Sequence, residues 1–261
     1  EPLKQITHAS YVDIHKPCLY IKSKSIKHEL APVALFVFNR LSQTKRTVSA
    51  LKKNILAAQT VLYIFSDDSK KGDLINQKKV QKLRKYLRTI KGFMNIHIIE
   101  RQENYYIEKN IIDGINTVFT LSDKIIVLED DVITSKHFLI YMNNCLNIYK
   151  KNSNVGHVSA WQIVNDLDCT NNRTIFWPYV ENGGGWATWK DRWQLLQYYS
   201  SEKEALNSIT EKQFEKIIKF NHEDSLGSLK LNPIPWDICW YITMIKHDYL
   251  SVNPMKSLTR N

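Results

Sequence analysis

In Ile125-Ile126-Val127-Leu128-Glu129-Asp130-Asp131 a short apolar run ends abruptly in three adjacent carboxylates. Such groups can ligate a hard divalent cation or take a proton. Side by side they repel one another and lose hydration, so a cationic partner is expected close by. A divalent ion carrying a phosphorylated ligand would serve. Taken alone, the stretch also fits a solvated acidic loop after a core strand.

Placing those acids is the work of the strand before them. A continuous apolar run this short reads as a strand buried on both faces, of the kind found inside a parallel sheet. Ligands of open α/β sheets collect beyond the carboxyl ends of such strands, where these acids stand. The preceding chain repeats the pattern. Val33-Ala34-Leu35-Phe36-Val37-Phe38 ends at Asn39-Arg40, and Ser42 is expected to cap a helix carrying Val48, Leu51 and Ile55. Val61 to Phe65 stops at Ser66-Asp67-Asp68, before a basic helix with Val80, Leu83 and Leu87 inward. Ile96 to Ile99 ends near Arg101, and Ile107, Ile111, Ile112, Ile115, Val118 and Phe119 mark an amphipathic helix. Past the acids a helix is predicted from about Lys136 to Tyr149, and Val155 to Ser159 closes the series. Strands and helices alternating through short connections predict a mainly parallel α/β sheet with right-handed crossovers. Neither GxGxxG nor GxxxxGK[ST] occurs, which weighs against a dinucleotide-dependent dehydrogenase and a P-loop kinase.

The flanks differ in texture. Residues 1–30 are polar and irregular and read as an amino-terminal arm or linker. After Ala160 come Trp161, a polar loop around Asp166 to Arg173, Phe176-Trp177-Pro178-Tyr179, and Asn182-Gly183-Gly184-Gly185-Trp186-Ala187-Thr188-Trp189. Three consecutive glycines, in a chain with only 8, would let backbone approach a ligand closely or would form a hinge. A polar helical region from Ser200 to Asn221 follows, with Phe214, Ile217 and Ile218 inward, then Pro233-Ile234-Pro235-Trp236-Asp237 and an aromatic helix reaching His247.

At 261 residues, 43% hydrophobic and 24% charged, the chain has the composition of an ordinary globular protein able to bury one large core. Its 7 Trp and 13 Tyr suit stacking on sugars or bases, and equally suit core filling. A net charge of +10 favours phosphate-bearing small molecules, an anionic membrane or nucleic acid. No nucleic-acid motif accompanies it, so a nucleic-acid partner is not expected. Cys18, Cys145, Cys169 and Cys239 have no paired spacing, which implies neither a zinc site nor a disulfide framework and fits a reducing compartment. No apolar run is long enough to cross a bilayer and no signal peptide is visible. The chain starts without Met and stops soon after Ser257-Leu258-Thr259, as a fragment would, so missing targeting signals prove little.

Taken in order, the stations are Asn39-Arg40, Ser66-Asp67-Asp68, Leu128-Glu129-Asp130-Asp131, Val158-Ser159-Ala160-Trp161, Gly184-Gly185-Trp186 and Trp236-Asp237. This set resembles the GT-A glycosyltransferases, most closely the N-acetylglucosaminyltransferase I-like group and its bacterial relatives, over about residues 31 to 258. The resemblance implies a GT-A (Rossmann-like) domain, with residues 31–160 as its nucleotide-sugar half and 161–261 as its acceptor half. It implies an inverting transfer of a hexosyl or N-acetylhexosaminyl unit from a nucleotide-diphosphate sugar, UDP-linked by expectation. Asp131 would coordinate Mn²⁺ (or Mg²⁺), with Glu129 and Asp130 on metal-bound water, ribose or sugar hydroxyls. Arg40 would reach base or phosphate. Asp68, or Asp67 in its place, would bind the uridine, and Asn104 and Asn110 would line the nucleotide pocket. Gly184, Gly185 and Trp186 would face donor sugar and acceptor, and Asp237 would be the catalytic base. Asp237 also fits a helix N-cap, and the two Asn also fit a loop turn and a helix start. The family usually continues into a loop that closes over the donor, whereas this sequence halts at Asn261.

A composition rich in Lys, Ile and Asn leans bacterial, so a lipopolysaccharide, capsule or glycoprotein glycan is the expected product. Its setting would be the cytoplasm, peripheral on the inner face of an anionic membrane displaying lipid-linked acceptors. Two other readings stay open. A nucleotidyltransferase making activated sugars would carry glycine in its first turn, where this chain has Asn39-Arg40-Leu41-Ser42. A non-catalytic glycan-binding module would use the aromatics but not the acids.

Overall fold

The structure, a computed structural model, describes residues 29–162, 174–178, 180, 182–220 and 227–261. Most of the arm expected over residues 1–30 lies outside the described residues, as do the loop from Asp166 to Arg173, Tyr179 and Asn221.

Period-two alternation sets the layers. In β1 (Val33–Val37), Val33, Leu35 and Val37 pack to one side and Ala34 and Phe36 to the other, all buried. β4 (Lys124–Glu129) repeats this, with Ile126 and Leu128 opposite Ile125 and Val127. Strands apolar on both faces belong in a sheet covered on both sides. β1 accordingly runs between β2 (Val61–Ser66) and β4, parallel to both, and β3 (Asn95–Glu100) adds on parallel beyond β2.

One face is covered by α1 (Leu41–Lys52), α2 (Leu74–Leu87) and α4 (Phe138–Ile148), through Val48, Leu51, Leu83, Leu87, Phe138 and Met142. α3 (Tyr106–Phe119) covers the other through Ile111, Ile115 and Val118. The chain thus steps from β1 out to β3 with helices on one side, then returns by α3 across the opposite side to β4. That reversal opens a crevice between the carboxyl ends of β1 and β4, where ligands of such sheets bind.

The return is tight. A Cβ added at Gly114 of α3 would lie 2.4 Å from Cε1 of Phe36, whose ring is stacked on Phe65. Gly114→Ala should therefore lower stability by about 2 kcal/mol or more, seen as a lower urea midpoint at unchanged slope.

Some sequence expectations change. Ile55 lies past the end of α1, and both it and Ile218 are exposed instead of inward. Ser42 is not the cap: α1 opens at Leu41, with Arg40 in the capping position and no side-chain cap. Val155–Ser159 forms strand β6, and β8 (Trp186–Trp189) inserts between it and β4, antiparallel to both. All four β8 side chains are buried, so the end of the glycine-rich segment is core strand and not ligand loop. β9 (Leu250–Pro254) and β7 (Thr174–Trp177) follow, giving the order β3-β2-β1-β4-β8-β6-β9-β7. One sheet, parallel on its β1–β4 side and mixed beyond, therefore joins both halves of the chain. Short helices α5 (Lys190–Trp193), α6 (Glu202–Asn207) and α7 (Glu211–Phe220) lead to α8 (Trp236–Lys246), which packs through Trp240 and Ile242 on the α3 side. A ribbon of β5 (Ile133–Thr134) and β10 (Thr259–Arg260) brings the end of the sequence beside the acidic turn. Among the described residues no helix is long and apolar enough to cross a membrane, and Cys145 and Cys239 are buried thiols.

Candidate active site

The crevice is closed from both sides by opposite charge. Arg40, at the end of β1, reaches Asp130 through Nη2 and Asp131 through Nη1 (2.9 Å to Oδ2). Thr47 on the next turn of α1 donates to the Asp130 carbonyl at 2.8 Å, fixing the backbone of the acidic turn. Burial pushes the Asp130 carboxyl above the usual range, and the Arg40 guanidinium pulls it back. Glu129 is pushed up to about 7, first by burial and then by the charges of Asp131 and Asp130. The cation that three adjacent acids demanded is thus Arg40.

At the ends of β2 and β3 the residues are arranged as a loop organiser and an open mouth. Asp67 is buried, and its Oδ1 accepts from the amides of Asp68 (2.9 Å) and Tyr105 (2.8 Å). Burial raises its pKa and those two amides oppose the shift. Asp68 is only partly buried; its Oδ1 accepts from the Ser69 amide at 2.7 Å, and its carbonyl accepts from Asn104 Nδ2. Asn104 Oδ1 is buried and makes no hydrogen bond among the described residues. Asn110 is buried against the fold, where its Oδ1 accepts from Arg101 Nε at 2.9 Å. Of the two aspartates, Asp68 is left available to a ligand, while Asp67 and Asn110 serve the scaffold.

Sequence reasoning missed Arg84 here, reading its helix as a solvated basic face. Its guanidinium donates to the carbonyls of Ser66 (3.4 Å), Asp67 (3.3 Å) and Arg101 (2.8 Å) and lies 3.5 Å from Asp68 Oδ2. One side chain so ties β2 to β3 where the Asp68 turn leaves. Its spacing, four after Val80 and three before Leu87, was the signal that it sits on the inner stripe. Arg84→Met should keep the stem packing but loosen this turn. The thermal midpoint is expected to fall by a few degrees, about 1 kcal/mol of stability, read by melting.

The acceptor-side residues come from the second half. Asp237 is the second residue of α8, two after Pro235 in the cap position, and its Oδ1 accepts from the Ile238 amide at 3.0 Å. Burial raises its pKa, and the amides of the turn oppose the shift. Its charge is also felt by Glu129 and by Glu108 of α3, whose pKa is raised by burial first and Asp237 second. Glu108 is a residue that the sequence reading did not pick out. Behind Asp237, Trp236 stacks on Trp186 with centroids 6.0 Å apart, and Trp193 and Trp240 complete the cluster.

Three sequence-predicted residues stand differently from expectation. Trp186 is 1% exposed, so it backs Trp236 and presents no edge to a ligand. Gly184 and Gly185 spend their carbonyls on the fold, accepting from Thr259 Oγ1 (2.5 Å) and from the Ala160 amide (2.9 Å). Gly185 has φ +86, and a Cβ there would lie 2.9 Å from Leu128 Cδ2. Gly185 is thus needed for packing against β4, the strand that ends in the acids, and Gly184 for packing against Trp161, whose Cβ would lie 2.8 Å from an added Cβ.

Among the described residues no three His, Cys, Asp or Glu side chains converge as a metal cage. The donor set still fits a hard divalent cation. Mg²⁺-like ions are commonly held by one or two carboxylates, with substrate phosphates and water completing the shell. Asp131 is partly exposed, and Asp130 Oδ2 is buried without a hydrogen bond among the described residues. The arrangement supplies two carboxylates at the end of β4 and a guanidinium beside them, and the partly buried Asp237 on α8 is coupled to Glu129 through its charge. That combination suits stabilising a leaving diphosphate while a hydroxyl is deprotonated.

No family model matches the chain, and no curated protein matches it. Solved structures overlap it in part. S. aureus TarS 1-349 aligns over 87% of this chain and 59% of its own, at 12% identity and a TM-score of 0.44. The same protein in complex with UDP-GlcNAc aligns over 63% and 46%, at 12% identity and a TM-score of 0.41. A mannosyltransferase, PcManGT from Pyrobaculum calidifontis, in complex with GDP-Man and Mn2+, aligns over 64% and 48%, at 13% identity and a TM-score of 0.39. The chain spans between 46% and 59% of the length of these structures.

Proposed function

We propose that this chain is a metal-dependent, inverting glycosyltransferase of the GT-A type. It would move a sugar from a nucleotide diphosphate, with UDP the expected nucleotide, to a hydroxyl of a glycan or lipid-linked glycan. The observation that carries the reading is the Arg40 guanidinium paired with both Asp130 and Asp131 at the carboxyl ends of β1 and β4, with the charge of the partly buried Asp237 felt by Glu129 next to them.

Each group has a task in that reaction. Asp131, with Asp130 beside it, would hold Mn²⁺ or Mg²⁺. When bound, that ion supplies Lewis-acid neutralisation of the charge growing on the departing diphosphate. Arg40 holds the same two acids and adds its own positive charge at the phosphate end. Asp68 and the Asn104 Oδ1 acceptor, adjacent through the Asn104–Asp68 hydrogen bond, offer oxygens to a base or ribose. Asp237 takes the proton from the attacking hydroxyl as the new carbon–oxygen bond forms. Attack opposite the leaving phosphate inverts the anomeric carbon, giving a β-linked product from an α-linked donor. Glu129, half protonated near pH 7 before any cation adds its charge, can meet a sugar hydroxyl as donor or acceptor.

The test is a donor-hydrolysis screen over UDP-, GDP- and dTDP-sugars with Mn²⁺. Metal-dependent release of one nucleoside diphosphate supports the reading. Release of none, with the chain folded, counts against it.

A further inference from the structure

The outer face of α1 carries charge that the crevice does not use. Lys45, Arg46 and Lys53 on α1, Lys136 just after β5 and Arg260 in β10 line an open cleft of about 500 Å³. Among the described residues no acidic side chain lines it and none of the five makes an ion pair. Lys45 has a softer neighbour, the Tyr86 ring at 5.4 Å. Five like charges around one hollow repel one another, and an anionic counterpart would relieve them. Among the described residues no aromatic side chain lines the cleft, so they offer no platform for stacked bases. At its end Ile55 is 47% exposed beside Lys53 and Lys136, its amide donating to the Lys136 carbonyl at 3.2 Å. An aliphatic side chain amid lysines is the chemistry of an interfacial contact, in which long basic side chains meet headgroup phosphates and the apolar one meets the acyl boundary.

We propose that the groove between α1 and the β5–β10 ribbon is a docking surface for an anionic phospholipid membrane. The groove and the crevice share a helix. α1 begins at the residue after Arg40, Thr47 in it holds the Asp130 carbonyl, and its outer side presents the cations. Docking through this face would set the crevice beside the bilayer. The surface itself rests on its own residues and not on the transferase reading.

The experiment is co-sedimentation of the full chain with phosphatidylcholine vesicles, with and without phosphatidylglycerol. Binding is expected only with phosphatidylglycerol, weakening as salt rises. K45Q/R46Q/K53Q/K136Q should weaken it about tenfold or more. K78Q/K79Q/K82Q/K85Q removes as many charges from exposed positions of α2 and should weaken it far less. Equal losses in the two variants would show that net charge and not the groove binds, and would overturn the proposal. So would inorganic phosphate that displaces the chain from vesicles at ionic strengths where chloride does not, since the site would then serve a soluble anion. The double variant R46Q/K53Q, with an unchanged thermal midpoint, guards against misfolding. UDP titration of each variant should be unaltered, so failure here and failure of the transferase reading are read separately.

Discussion

Asp237→Asn should abolish sugar transfer, lowering kcat/KM by about two to four orders of magnitude, while UDP still binds. The residue lies on α8, whereas the proposed nucleotide contacts, Asp68 and Asn104, lie after β2 and β3, so donor affinity has no reason to change. Asn keeps the shape and the oxygen that accepts the Ile238 amide, and removes the proton acceptor. The pH profile gives a second readout. Burial raises the Asp237 pKa, so the base is ionised only above a higher pH than a free aspartate would need. Wild-type activity should fall on the acid side through that raised pKa, and the residual activity of the variant should lack this limb. Stability runs the other way. A folded-state pKa above the unfolded one means that the folded chain holds the proton more tightly, so this group's contribution falls as pH rises between the two values. Asp237→Asn removes that slope, and its thermal midpoint at neutral pH should hold or rise. A variant that turns over normally would remove Asp237 from the mechanism.

Asp131→Ala has the second large effect, on binding. Loss of the partly exposed carboxylate should weaken metal-dependent UDP binding about a hundredfold or more, with little change in the melt. Arg40 would keep Asp130 as partner, so the crevice would stay charge-compensated. Asp131→Asn should fall between wild type and Ala, because its amide oxygen is a weaker ligand for a hard cation. A variant whose UDP affinity responds to Mn²⁺ as the wild type does would place the ion elsewhere.

Much of this was legible in the residues. Val33–Val37 and Lys124–Glu129 announce buried strands because each alternation is apolar on both faces, and the acids at the end of the second lie where chain reversal opens a crevice. α3 was legible from its stripe, except that Ile107 is exposed at the helix start. The insertion of β8 was not legible. Its four residues follow three glycines that dominate a local reading, and strand order depends on packing partners distant in sequence. The same limit hid the burial of Trp186, since a Trp suits a binding edge and a core equally until its neighbours Trp193, Trp236 and Trp240 are in place. Arg84 and Glu108 escaped because their partners come from other elements: three strand-end carbonyls for one, the field of Asp237 for the other.

One titration decides whether the acids at the end of β4 hold a cation for a nucleotide diphosphate. UDP is added to the full chain by calorimetry in Mn²⁺ and again in chelator. The crevice described here predicts binding in Mn²⁺ that is lost in chelator and lost with Asp131→Ala. UDP binding of equal strength in both buffers, or none in either from a folded chain, would contradict it.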